Sequence, residues 1–242
     1  MLAQAPALIH GFTLAGFNMS LKSGPDPAGT PRRRQQLCQA LGLDFAKLTG
    51  AVQVHGAEII PVDETLAGAG RDGTVPPVPH VDGFVTDTRE ITLMGMSADC
   101  PILLAYDPAR PAIGVVHAGW RGTIACIALR LVGVMERCFG SKAADLRVAI
   151  APCAGREEFE VKEDVVRLAA ARWDGYQRFF PQRDGRTFFD LRSTNVGQLT
   201  AAGVRPEHID VAEMCTICDE RFHSFRRDGA ATGHAALLAA LV

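Results

Sequence analysis

A chain of 242 residues with 48% hydrophobic content is long enough to bury one sizeable core, and we read it as a single domain over 1–242. Its formal charge of -2, with Arg, Asp and Glu interspersed, leaves no basic face and excludes nucleic acid as the main partner, while a few local arginines suffice to hold a small anionic substrate. A membrane span is not expected either, because the most apolar stretch, 123–139, carries Arg130, Glu136 and Arg137.

In chain order, the start from Met1 to His10 has no basic region ahead of its short apolar run, so no secretory leader is expected. A strand is predicted at 7–15, a helix at 32–41, and a long β-rich run at 50–62. The Pro- and Gly-rich segment 66–79 reads as a surface loop. Strands follow at 81–87, 91–96, 101–106 and 112–117, the last two joined by a hairpin turn at Asp107-Pro108-Ala109-Arg110-Pro111. Helical spacing predicts a helix at 123–139, β-enrichment a strand at 146–151, and helical spacing again helices at 162–172, 191–202 and 233–241, with Asp190 capping the fourth of the five helices. Locally paired strands covered by helices give an α/β layered fold with mixed sheets.

The chemistry gathers at strand ends. Ser97-Ala98-Asp99-Cys100-Pro101 precedes one strand of the hairpin, His117-Ala118-Gly119-Trp120-Arg121-Gly122 ends the other, and Val52-Gln53-Val54-His55-Gly56 lies in the 50–62 run. Antiparallel pairing of 101–106 with 112–117 brings Cys100 and His117 to the same sheet edge. Two imidazoles and one thiolate are the donor set of a catalytic zinc site, whose fourth position stays open. Arg121 follows at the start of a helix, where an anion is favoured, although a salt bridge explains it as well.

Seven scattered cysteines, an odd number, do not form a disulfide framework, and a reducing cytoplasm is the compartment they imply. Cys38, Cys126 and Cys138 sit in predicted helices and are assigned to packing. Cys215-Thr216-Ile217-Cys218 lacks the second Cys pair of a zinc ribbon and the helix of a redox motif, so it is read as structural. His10, His80, His208 and His223 have no catalytic neighbours and are read as surface or locally bonded, and Trp120 as packing a strand-to-helix turn.

These segments, with Asp82-Gly83 before Val85-Thr86 and Ser224-Phe225-Arg226-Arg227-Asp228 within 215–233, resemble the YfiH-like family across nearly the whole chain. That family is also called the multicopper polyphenol oxidoreductase (laccase) domain family and the zinc purine nucleoside phosphorylase family. The resemblance implies a single α/β/β/α layered domain with one metal held by His55, Cys100 and His117. It implies phosphorolysis of adenosine, inosine and methylthioadenosine, and deamination of adenosine, with nucleoside and phosphate as small-molecule partners. Substrate contacts fall on Arg34 and Arg121, and Asp82 matches the family's acid. Departures are the absence of an Arg-x-Gly-Gly-x-Ser segment after Gly11, Glu158 in place of a frequent cysteine, and His234 where the family has arginine.

An open zinc site supplies hydroxide at neutral pH by lowering the pKa of water to about 7, which suits attack at C6 of a purine, with Asp82 or Asp99 as the acid that moves protons. Copper competes for the same donors by raw affinity. A true laccase needs many imidazoles, commonly in His-x-His pairs; this chain has seven histidines and no such pair. Three alternatives stay open: copper-dependent polyphenol oxidation, a thiol hydrolase or amidase in which Cys100 is a nucleophile activated by His117 or His55, and a nucleoside-binding module without turnover.

Overall fold

The structure, a computed structural model, describes Leu2, Ala5 and residues 7–242; Met1, Ala3, Gln4 and Pro6, within the start read for a leader, lie outside the described residues. Its elements in chain order are β1 (Leu8–Phe12), α1 (Thr30–Leu41), β2 (Leu48–Thr49), β3 (Ile59–Pro61), β4 (Gly83–Thr86), β5 (Thr92–Ser97), β6 (Ile102–Asp107), β7 (Ala112–His117), α2 (Trp120–Ile124), α3 (Ile127–Phe139) and β8 (Arg147–Ile150). They continue with β9 (Glu160–Val161), α4 (Glu163–Ala170), β10 (Gln182–Arg183), β11 (Arg186–Phe188), α5 (Leu191–Ala201), β12 (Ile209–Val211), α6 (Phe225–Asp228) and β13 (Ala235–Leu241).

Two mixed sheets carry the fold, one ordered β1-β13-β5-β2 and the other β12-β8-β6-β7-β4-β3, with a small third sheet β10-β11-β9. Alternation along the strands explains the layering. In β6, Ile102, Leu104 and Tyr106 face the core between the sheets, where they meet Leu93, Leu237 and Leu241, while Leu103 and Ala105 face α3. On the other side Met94, Ala236, Leu238 and Ala240 pack against Cys38 of α1. The result is an α/β/β/α arrangement in which both faces of the central strands are buried, which is why they read as continuous apolar runs.

The hairpin forms as the sequence predicts: Ile102 pairs with His117 and Asp107 with Ala112, and Asp107 Oδ1 accepts the N–H groups of Ala109 and Arg110 at 2.9 and 3.1 Å to close the turn. Asp190 likewise caps α5 by accepting from Ser193 N at 2.9 Å.

Several expectations are corrected. The predicted helix at 233–241 is the strand β13, paired antiparallel to β1 and β5 along its length. Ala and Leu favour helix in isolation, but all seven residues of β13 are buried and both its faces are covered, so tertiary pairing overrides propensity. The helix at 123–139 is two helices broken at Cys126, which adopts φ 62°. The break is held by α5: Gln198 Nε2 donates to Thr123 O at 2.7 Å and Asn195 Nδ2 to Thr123 Oγ1 at 3.1 Å. The run at 50–62 is interrupted too, with β2 in one sheet and β3 in the other. The packing assignment holds for buried Cys38 but not for Cys138, which is exposed; His223, read as surface or locally bonded, is buried and hydrogen-bonded to the Phe17 backbone, so the second of those readings holds.

Candidate metal centre

Two crossings between the sheets build the site. Residues 50–58 pass from β2 to β3 and carry His55; residues 98–101 pass from β5 to β6 and carry Cys100; His117 ends β7, beside β6. Ala118 N donates to Pro101 O at 2.8 Å, extending the hairpin one step past its last strand pair. The ligand atoms of His55, Cys100 and His117 all lie within 4.8 Å of one another, and the two imidazoles meet edge to face with ring centroids 4.8 Å apart. His117 is buried, Cys100 half-buried and His55 exposed, so the cluster opens on one side.

Asp82 organises it. Its Oδ1 accepts from His117 Nδ1 at 2.9 Å and from the backbone N–H of His55 at 2.9 Å, and its Oδ2 accepts from Gly56 N at 2.7 Å and Val54 N at 3.2 Å. This bond keeps the Nδ1 proton on His117 and turns Nε2 toward the metal position, the second-shell device common at histidine metal sites. His55 itself sits at φ 60°, a left-handed conformation that the Asp82 bonds hold in place. Gln53 anchors the same segment: its side-chain amide donates to Met96 O and accepts from Met96 N, both at 2.8 Å.

Charge favours a thiolate here. Burial pushes the Cys100 thiol up, but the His117 charge and hydrogen bonds from His117 and His55 outweigh it and bring the thiol down to about 7. Burial pushes His117 down, and the Cys100 thiolate and the Asp82 bond outweigh that, raising it to about 9. For Asp82, burial pushes upward and is overcome by His117 and the loop N–H groups, so its carboxyl stays below its ordinary value.

The residues fit a metal. Two nitrogens and one sulfur converge in the donor set preferred by zinc and by copper. A cradle surrounds them, too: a Cβ added at Gly119 would lie 2.7 Å from His55 Cδ2, 3.3 Å from His117 Cε1 and 3.4 Å from Cys100 Sγ. Among the described residues this is the one group of three or more such donors close enough to share an ion. Cys215 and Cys218 join no such group; they flank a turn, and Cys215 Sγ accepts from Gly155 N at 3.2 Å.

The cluster lies in a cavity of about 900 Å³, within the range of small-molecule sites. Arg121 reaches its wall with the guanidinium stacked 4.0 Å from the Trp120 ring centroid. Trp120 packs against the cluster of Ile124 and Phe189, as expected for a turn residue, and also lines the cavity. Arg34 differs from its expected role as a substrate contact. Its five N–H groups go to Met19 O twice, Gly70 O, Arg71 O and Met96 Sδ, so the buried guanidinium ties α1 to the cavity-lining loop and has no donor left for a ligand.

The expected acids are also committed. Asp82 is fully enclosed behind His117 and is absent from the cavity wall. Asp99 reaches that wall, but its Oδ1 accepts from Thr216 Oγ1 and its Oδ2 from Arg226 N, both at 2.7 Å, which pins residues 216 and 226 to the site. Sequence reasoning missed Gln53 as an anchor and Phe159, Phe225 and the Arg226 guanidinium as cavity wall. These come from distant parts of the chain with no local signal; Arg226 stacks on Phe159 at 4.8 Å.

Residues 10–242 match the family model described as multi-copper polyphenol oxidoreductase laccase. The chain belongs to this family. The laccase-named family contains relatives with nucleoside names. The chain is 34% identical over 223 residues, 90% of its length and 81% of the relative's, to the purine nucleoside phosphorylase YlmD of Geobacillus stearothermophilus. It is 29% identical, over 90% of its length and 84% of the relative's, to the adenosine deaminase RL5 of an unknown prokaryotic organism. A crystal structure of YlmD from G. stearothermophilus aligns at TM-score 0.88 with 30% identity, covering 98% of this chain and 93% of that one. The Bacillus licheniformis hypothetical protein YfiH aligns at TM-score 0.91 with 27% identity, covering 99% and 98% of the two chains. The layered fold is therefore that of the family, and the relatives YlmD and RL5 carry the names of enzymes acting on purine nucleosides.

Proposed function

We propose that this protein is a zinc-dependent purine nucleoside enzyme of a single domain, working in a reducing cytoplasm, that cleaves adenosine, inosine and methylthioadenosine by phosphorolysis and deaminates adenosine. The observation that carries the reading is the open His55, Cys100 and His117 cluster in a cavity of about 900 Å³, in a chain similar to proteins with those two activities by name. When bound, zinc supplies Lewis acidity at neutral pH. Cys100 and His55 hold it, and His117 does so with its tautomer set by Asp82. Trp120, Phe159 and Phe225 offer apolar faces for a purine base. Arg121 and Arg226 have no carboxylate partner among the described ion pairs and are the residues to hold phosphate.

The test is elemental analysis of protein purified without added metal, with adenosine followed chromatographically in the same preparation with and without phosphate. About one zinc per chain with inosine or free purine appearing supports the reading, and phosphate dependence separates phosphorolysis from deamination. Copper at that stoichiometry with phenol oxidation and no nucleoside turnover sinks it.

One observation favours a second reading. Asp82, His117 and Cys100 are in the order of an orienting acid, base and nucleophile, with the thiol at about 7. A thiol hydrolase would be insensitive to chelators and form a thioester.

A further inference from the structure

Ser20, Ser23 and His234 line the same cavity and form a hydrogen-bonded chain whose first link is directed by counting lone pairs and whose second by the acceptors in reach. Ser20 Oγ accepts the backbone N–H of Lys22 at 3.2 Å and of Ser23 at 3.1 Å, which uses both its lone pairs. Its own proton therefore goes to Ser23 Oγ, 3.0 Å away. The Ser23 proton cannot return to Ser20, whose lone pairs are used, and the acceptor within reach of it among the described residues is His234 Nδ1 at 3.2 Å. Nδ1 is then an acceptor, and the ring proton of the neutral imidazole must sit on Nε2, which has no protein partner among the described residues.

The surroundings hold this arrangement rigid. Asn18 Oδ1 accepts from Ser20 N and His234 N, both at 3.0 Å, while its Nδ2 donates to Ser23 O at 2.7 Å and Pro25 O at 3.0 Å. Gly24 and Gly233 pack back to back, since a Cβ on Gly24 would lie 2.3 Å from Gly233 Cα. Burial, together with the charges of His223, His117 and His55, lowers His234 to about 4, so the ring is neutral under working conditions.

We infer that His234 is a positioning residue that presents an Nε2–H donor to a hydrogen-bond acceptor of the bound nucleoside, with Ser20 and Ser23 fixing the tautomer. This rests on the nucleoside reading of the cavity. A donor that cannot become an acceptor selects for a substrate acceptor at that point and leaves a donor there unpaired, which is how buried polar groups discriminate. It sets affinity and orientation and takes no part in bond breaking.

The experiment has two parts on the zinc-loaded protein. Nitrogen-15 NMR of the histidine rings without ligand reads the tautomer directly: the proton is expected on Nε2 of His234, and Ser23→Ala is expected to yield a mixture. Steady-state kinetics with inosine and phosphate then compare His234→Leu, expected to raise KM about tenfold with kcat little changed, and His234→Gln, whose amide keeps a donor and recovers most of the loss. Zinc content and circular dichroism confirm that each variant is folded and loaded. A wild-type proton on Nδ1, or His234→Leu with wild-type KM, overturns the inference. Wild-type protein that neither binds nor turns over inosine overturns the nucleoside reading, and the ligand-free spectrum keeps that failure distinct from a wrong tautomer.

Discussion

Asp82 Oδ1 lies 2.9 Å from His117 Nδ1, and the same oxygen accepts the backbone N–H of His55 at 2.9 Å, so one buried carboxylate orients two of the three candidate ligands at once. The bond to His117 spans 35 residues of sequence and that to His55 spans 27, which makes Asp82 the point where β4, β7 and the crossing segment are joined.

Asp82→Asn keeps the shape but turns an amide N–H₂ toward groups that are themselves donors. Metal affinity is expected to fall about 10- to 100-fold, the usual cost of losing a second-shell partner. Competition with a chromophoric chelator measures it, and undiminished affinity would show that Asp82 does not orient the ligands.

Cys100→Ser removes the only sulfur donor from the cluster. Metal and activity should be lost together while the thermal unfolding midpoint of the metal-free protein stays close to that of the metal-free wild type. Stoichiometric metal retained by the variant overturns the ligand assignment.

Gly119→Ala introduces a methyl group where His55, His117 and Cys100 converge, 2.7 Å from the nearest ring atom. The expected result is weaker metal binding and lower activity with an unaltered circular dichroism spectrum, because the clash is confined to the site. Wild-type metal content in this variant would mean the ligands can shift without loss.

Two protons compete with the metal, and their order sets the pH dependence. Above about 9 both Cys100 and His117 are ready to bind; between about 7 and 9 the His117 proton must leave; below about 7 the thiol proton must leave as well. Apparent affinity should therefore rise with pH, about tenfold per unit between the two values and about a hundredfold per unit below the lower one. Chelator competition from pH 6 to 9 reads the slopes, and a flat profile is incompatible with a coupled thiolate and imidazolium.

Leu238 in β13 is fully buried between α1 and the four-stranded sheet. Leu238→Ala should cost about 2–5 kcal/mol in urea unfolding, the usual range for a core leucine. Metal content of the folded fraction should be unchanged. A loss under about 1 kcal/mol would mean that the site collapses freely around the missing atoms.

Much of the framework was legible because it is local. The turn residues 107–111 and the apolar runs beside them specify a hairpin, and the hairpin alone brings Cys100 and His117 to one edge. Asp190 was readable as a cap for the same reason, its partner Ser193 being three residues away. The motifs at 52–56, 98–101 and 117–122 likewise named the three donors of the cluster.

The hairpin, the pairing of Cys100 with His117 and the α/β class thus follow from short-range spacing and residue chemistry, while His55 joined the donor set through the family resemblance of its motif. The rest depends on long-range packing. β13 became a strand because burial on both faces outweighs the helix propensity of Ala and Leu, and the helix at Cys126 broke because α5 supplies hydrogen bonds to Thr123. Arg34 and Asp82 were turned from candidate substrate and proton-transfer groups into internal clamps by carbonyls and N–H groups far away in sequence. The cavity wall of Gln53, Phe159, Arg226 and His234 exists only once the two sheets are stacked, because a hydrogen bond or van der Waals contact acts over a few ångströms and nothing in the local pattern records which distant residues will come that close.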